Sequence, residues 1–113
     1  MKTLPELLRE RVAATPGGDA YRQYDRAARR WQSVSWSEFA RRVGRWQRAL
    51  RGESLPAGSR IAILARSSVE HVCMDQAALA LGFVPVPLHA IDNPESIAYI
   101  LSDSGAALLL DRM

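Results

Sequence analysis

Cys73 stands two residues from His71, and a thiol near an imidazole is the usual starting point for nucleophilic catalysis. Residues two apart on a helix do not face each other, and Cys73 falls on the apolar stripe of its segment, so the sequence favours a buried core thiol. As the only cysteine it can form no internal disulfide, and this chain alone can build no thiolate metal site. His71 and His89 are eighteen positions apart, which gives no local ligand spacing, so no metal is expected. Lys2 is the only lysine, no GxxxxGK run occurs, and none of the seven glycines is spaced as GxGxxG. A phosphate cradle of either common type is therefore missing. No catalytic, cofactor-binding or metal-binding residue is assigned. What remains is topological: ligands of open parallel sheets sit beyond the carboxyl ends of the strands, here 65–68, 89–93 and 111 onward. Within those loops Ser67 reads as a helix cap and His89 as loop surface.

The elements that would position such loops follow from caps and periodicity. Thr3 and Glu6 form a capping box, and Leu4, Leu7, Leu8 and Val12 share one side of a short helix, giving a helix over 3–15 that ends at Thr15-Pro16-Gly17-Gly18. Extended segments at 20–24 and 31–35, joined by the polar run 25–30, predict a hairpin over 20–35. Ser35 and Glu38 suggest a second capping box, stapled by Val34 and Phe39. The helix over 36–50 then turns Trp36, Phe39, Ala40, Val43, Trp46 and Leu50 inward and Arg41, Arg42, Arg45 and Arg48 towards water. The run Arg60-Ile61-Ala62-Ile63-Leu64 has the continuous apolar character of a strand covered on both faces.

Ser67 and Glu70 suggest a third capping box. Its helix carries Val69, Val72, Cys73, Ala77, Ala80 and Leu81 as the buried stripe, and Gly82 as the left-handed terminator. Val84 to Leu88 is a strand whose two prolines leave one edge only partly paired. Asn93 caps a helix with Pro94 in its first turn, Ile97, Ile100 and Leu101 inward and Gly105 at its end, and Ala106 to Leu110 forms the last strand. The fold class is α/β: an N-terminal helix and β-hairpin, then a parallel βαβαβ unit over 60–110. Three parallel strands make an incomplete sheet, so the chain reads as part of a larger domain.

The chain has 113 residues, 48% of them hydrophobic and 24% charged, which is the balance of one globular domain. It has no apolar run long enough to span a bilayer and no export-signal pattern at its start, so a cytoplasmic location is expected. The net charge of +3 is uneven: nine of the fourteen arginines lie between Arg22 and Arg51 against Asp25 and Glu38 alone. Aromatic residues are interleaved with them, so a small nucleic-acid-binding module is one alternative and a stand-alone interaction module another. Arginines opposite a core stripe are more often a solvated face, and no nucleic-acid partner is expected. Peripheral contact with an anionic membrane surface is a further option.

Read in order, Leu4-Pro5-Glu6-Leu7-Leu8-Arg9-Glu10-Arg11, Val34-Ser35-Trp36-Ser37-Glu38-Phe39 and Pro56-Ala57-Gly58-Ser59-Arg60-Ile61-Ala62-Ile63-Leu64 resemble the adenylate-forming (AMP-binding) enzymes. Ser67-Ser68-Val69-Glu70-His71, Ala80-Leu81-Gly82-Phe83-Val84-Pro85-Val86-Pro87-Leu88 and the run from Pro94 to Ser104 look most like the long-chain fatty acyl-CoA ligase (synthetase) branch. The sequence departs from that branch at His71, where an aromatic residue is usual, and at Leu88-His89-Ala90-Ile91-Asp92. The resemblance implies a parent enzyme in which a fatty acid attacks the α-phosphate of ATP in the presence of Mg2+ to give an acyl-adenylate, and coenzyme A then displaces AMP. It implies that the phosphate loop, ribose-binding acid, metal-binding glutamate and catalytic lysine lie downstream. The segment itself is expected to bind no cofactor, to be inactive alone, and to have the rest of the synthetase chain as its partner.

Overall fold

The computed structural model describes residues 3–65, 68–88 and 93–112. Helix α1 (Leu4–Ala14) opens with the expected box: the Thr3 hydroxyl accepts from Glu6 N–H, and the Glu6 carboxylate accepts from Thr3 N–H at 2.9 Å. No residue of α1 is fully buried, and Leu4 and Leu7 are 57% and 47% exposed, so the stripe expected to face inward is only half covered by Leu8 and Val12. Strands β1 (Asp19–Asp25) and β2 (Arg30–Ser35) form the antiparallel hairpin, with a register irregularity between Asp19 and Tyr21. The Asp25 carboxylate accepts from Ala27 and Ala28 N–H and ties down the turn.

Helix α2 (Trp36–Arg51) starts where Ser35 accepts from Glu38 N–H. The reciprocal half of the expected box is missing, because the Glu38 carboxylate is taken up by Arg41 at 2.7 Å, Arg42 at 3.3 Å and Arg45 at 3.7 Å. Phe39, Val43 and Leu50 are buried, Trp36, Ala40 and Trp46 half-buried, and Arg41 and Arg45 well exposed, much as the periodicity requires.

The second half is a three-stranded parallel sheet in the order β4-β3-β5, from β3 (Arg60–Ala65), β4 (Val84–Leu88) and β5 (Leu108–Arg112). β5 begins two residues later than expected, since Leu108 is the residue that aligns with Ile61 and the chain before it is held by Ala107 N–H donating to Arg60 O. Among the described residues β4 pairs only with β3, so the two prolines lie on an edge strand, where their missing donors are tolerated.

Helix α3 (Val69–Ala80) links β3 to β4 and α4 (Pro94–Ser104) links β4 to β5. The first connection runs outward from the central strand and the second runs back across it. With right-handed crossovers, that reversal puts α3 and α4 on opposite faces of the sheet. Ile61, Ile63 and Ala65 project into a core shared with Phe39, Val43, Cys73, Met74 and Ala77, while Ala62, on the other face, is equally buried.

α3 departs from the expected stripe in one respect: Met74 and Ala78 are buried and Ala80 is exposed, because a helix wedged between a sheet and α2 needs a wider apolar arc than one covered on a single side. Ile97, Ile100 and Leu101 of α4 are half-buried, and none of its residues is fully covered. Gly82 takes φ of 78°, the left-handed stop expected of it, and Gly105, expected at the end of its helix, takes φ of 66°.

Candidate functional site

The helices that follow β3 and β4 lie on opposite faces of the sheet, and ligands of open parallel sheets sit outside the carboxyl ends of the strands. Ala65, Leu88 and Arg112 end the three strands on one edge, and α3 and α4 both begin there. Of the loop residues anticipated at this edge, Ser67, His89 and the rest of 66–67 and 89–92 lie outside the described residues, as does Met113.

The helix starts themselves are well defined. The cap of α3 is Ser68, one residue beyond the expected Ser67, and its hydroxyl accepts from His71 N–H at 3.3 Å. That shift places Glu70 too early to reach back to the cap. Its carboxylate turns to α2 and accepts from Trp46 Nε1–H at 2.6 Å. Val69 N–H donates to Gln23 Oε1 of the hairpin at 3.0 Å. Two first-turn donors of α3 are thus consumed internally, which weakens this helix start as an anion site. At α4, Asn93 Oδ1 accepts from Ser96 N–H at 2.8 Å, Pro94 has no donor, and Glu95 adds negative charge to the first turn.

The titratable groups on α3 do not assemble into a catalytic set. The Cys73 thiol is fully buried and pushed up to about 12, first by burial and then by the Glu70 carboxylate, so it is no nucleophile at neutral pH. His71 Nε2 lies 3.6 Å from Asp75 Oδ2, beyond a good hydrogen bond, and His71 Nδ1 is buried with no partner. Burial raises the Asp75 carboxyl, and His71 opposes the rise. Among the described residues no three His, Cys, Asp or Glu side chains converge on a point where a cation would sit.

The arginine window is largely spoken for on α2, where Arg42 foremost, with Arg41 and Arg45, holds the Glu38 carboxyl below its usual range. Trp36 and Phe39 meet edge to face at 6.1 Å in the core, and Tyr24 and Trp31 meet at 5.5 Å on the hairpin. Of the aromatics between Arg22 and Arg51, only Tyr24 and Trp31 remain exposed. Sequence reasoning missed the Gln23–Val69 and Trp46–Glu70 contacts. Each joins residues more than twenty positions apart, and no local pattern encodes that.

Residues 8–112 match the AMP-binding enzyme family. Tyrocidine synthase 3 of Brevibacillus parabrevis is 36% identical over 113 residues, covering 98% of this chain and 2% of the synthase. The long-chain-fatty-acid–CoA ligase FadD13 of Mycobacterium tuberculosis is 28% identical over 110 residues, covering 97% of this chain and 21% of the ligase. This chain thus spans about a fifth of the ligase and a far smaller part of the synthase. Among solved structures, the N-terminal domain of FACL13 from Mycobacterium tuberculosis superposes with a TM-score of 0.84 at 28% identity over 96% of this chain and 26% of that one. IdnL1 superposes with a TM-score of 0.87 at 23% identity, over 96% of this chain and 22% of that one, a likeness of fold.

Proposed function

This chain belongs to the AMP-binding enzyme family, and from that premise we propose that it is the first α/β layer of a long-chain fatty acid–CoA ligase, a scaffold for nucleotide and acyl sites built by later parts of the polypeptide. The observation that carries the reading is the FadD13 match, in which ordered similarity over 97% of this chain falls within a fifth of a named ligase. The N-terminal domain of FACL13 supports it from the side of the fold.

In the proposed reaction the fatty acid carboxylate attacks the α-phosphate of ATP, an oxygen–phosphorus bond forms, and pyrophosphate leaves. The thiol of coenzyme A then attacks the acyl carbonyl and AMP departs. This chain's part is to hold the edge of the sheet at the carboxyl ends of β3 and β4. No step of the reaction is assigned to its described residues. A cytoplasmic location fits the reading. None of the described helices is long and apolar enough to cross a membrane.

A second reading has its own support: the 36% identity to tyrocidine synthase 3 favours adenylation of an amino acid. Carboxylate-dependent ATP–pyrophosphate exchange by the full-length protein separates the two. Long-chain fatty acids should drive exchange and yield a CoA thioester. Exchange driven by an amino acid, with no thioester to CoA, would replace the first reading by the second.

A further inference from the structure

Helix α1 lies against α2 and α3 without burying any residue fully, and along one flank it leaves an open groove of about 850 Å3. A groove of that size takes a small ligand. Leu8, Val12, Val43 and Leu79 give it apolar walls. Arg9 and Arg51 also line it, and no carboxylate does. Among the described residues neither arginine has an ion-pair partner. Leu4, Leu8 and Gln76 also line a second groove of about 510 Å3 on the opposite flank of α1, and the Gln76 Oε1 is buried without a donor. The helical layer is thus incompletely packed here, on both sides of α1.

The groove does not lie at the carboxyl ends of the strands. Arg51 ends α2, on the chain that leads into the start of β3, and Leu79 and Gly82 flank the end of α3, shortly before the start of β4, so this end of the groove adjoins the amino edge of the sheet. We propose that the groove is a binding site for an aliphatic carboxylate, with the hydrocarbon along Leu8, Val12, Val43 and Leu79 and the carboxylate at the guanidinium groups of Arg9 and Arg51. Hydrocarbon in the groove removes apolar surface from water on both partners. A planar carboxylate suits the fork of donors on a guanidinium, and the absence of an acidic wall leaves its charge unopposed. Binding here is independent of adenylation, and turnover is not its readout.

The test is a methyl NMR titration of this chain with sodium octanoate below its micellar concentration, run beside octyl phosphate and octyltrimethylammonium. Octanoate should give saturable shifts confined to Leu8, Val12, Val43 and Leu79, with the cation at least about ten-fold weaker. The double variant Arg9→Gln/Arg51→Gln should weaken octanoate about ten-fold. Ala13→Glu, an exposed substitution that puts a carboxylate in the lining, should do the same where the double variant melts differently from the parent chain. Shifts that do not saturate or spread over the chain, equal binding of the cation, or undiminished binding by a variant that keeps its melting temperature would overturn the site. A ten-fold preference for octyl phosphate would overturn the head group.

Discussion

At the scale of single residues the chain spends its ionisable groups on packing. Cys73 is walled off by the core, and a thiol reagent should modify it only as the chain unfolds. Labelling in native buffer should therefore track global unfolding, and fast labelling would contradict the burial. Asp75 is held above the usual carboxylate range, so the folded state binds its proton more tightly than the unfolded chain does. That contribution is complete below the unfolded value and is lost as pH rises through the raised one. Glu38 has the opposite sign: its contribution is present above the unfolded value and is lost as pH falls through the lowered one. In denaturant titrations across the acid range, Asp75→Asn should abolish the decline of stability with rising pH, and Glu38→Gln should reduce the decline with falling pH. Identical profiles for parent and Asp75→Asn would remove Asp75 as the cause.

Helices and strands were legible in the sequence wherever the signal was local. Thr3, Ser35 and Asn93 cap the helices that their types and spacing announce, and Gly82 and Gly105 stop theirs. The failures share a cause. Ser67 and Ser68 are equally good caps as residues, and nothing local in the sequence chooses Ser68. Glu38 and Glu70 have the spacing for a box, but arginines on the next turn capture one and the Trp46 indole the other. The choice of Met74 and Ala78 over Ala80 depends on α3 being covered from two sides, which is a tertiary fact.

Two substitutions test these elements. Ser35→Ala removes the cap of α2 and should cost about 1 kcal/mol. Glu70→Ala leaves the Trp46 N–H unpaired in a half-buried seam and should cost about 1–3 kcal/mol, with a change in tryptophan emission. A Glu70→Ala protein as stable as its parent would show that the α2–α3 seam does not need the contact.

For the whole molecule, the α/β class was readable because capped helices and buried strands follow one another along the chain, and the family was readable as a resemblance of those segments in their order. The candidate site was only partly readable: the topology indicates an edge, while its loop residues carry no motif. The groove beside α1 was invisible, since Leu4, Leu7, Leu8 and Val12 predict a covered face and the fold half covers it. The core beneath is better sealed. Phe39→Ala, at a site only 2% exposed, should cost about 3–5 kcal/mol in a thermal or denaturant melt. The sheet has β4, with its two prolines, at one edge and β5 at the other, and β5 offers the ungated donors and acceptors to a further strand.

The proposed function has this chain build a layer and leave the chemistry to later parts of a longer polypeptide. Fatty acid-dependent pyrophosphate exchange should be measured for this chain alone, for the remainder of the ligase alone, and for the two co-expressed. Exchange only in the co-expressed sample is the predicted result; exchange by this chain alone, or full activity of the remainder without it, would contradict the account.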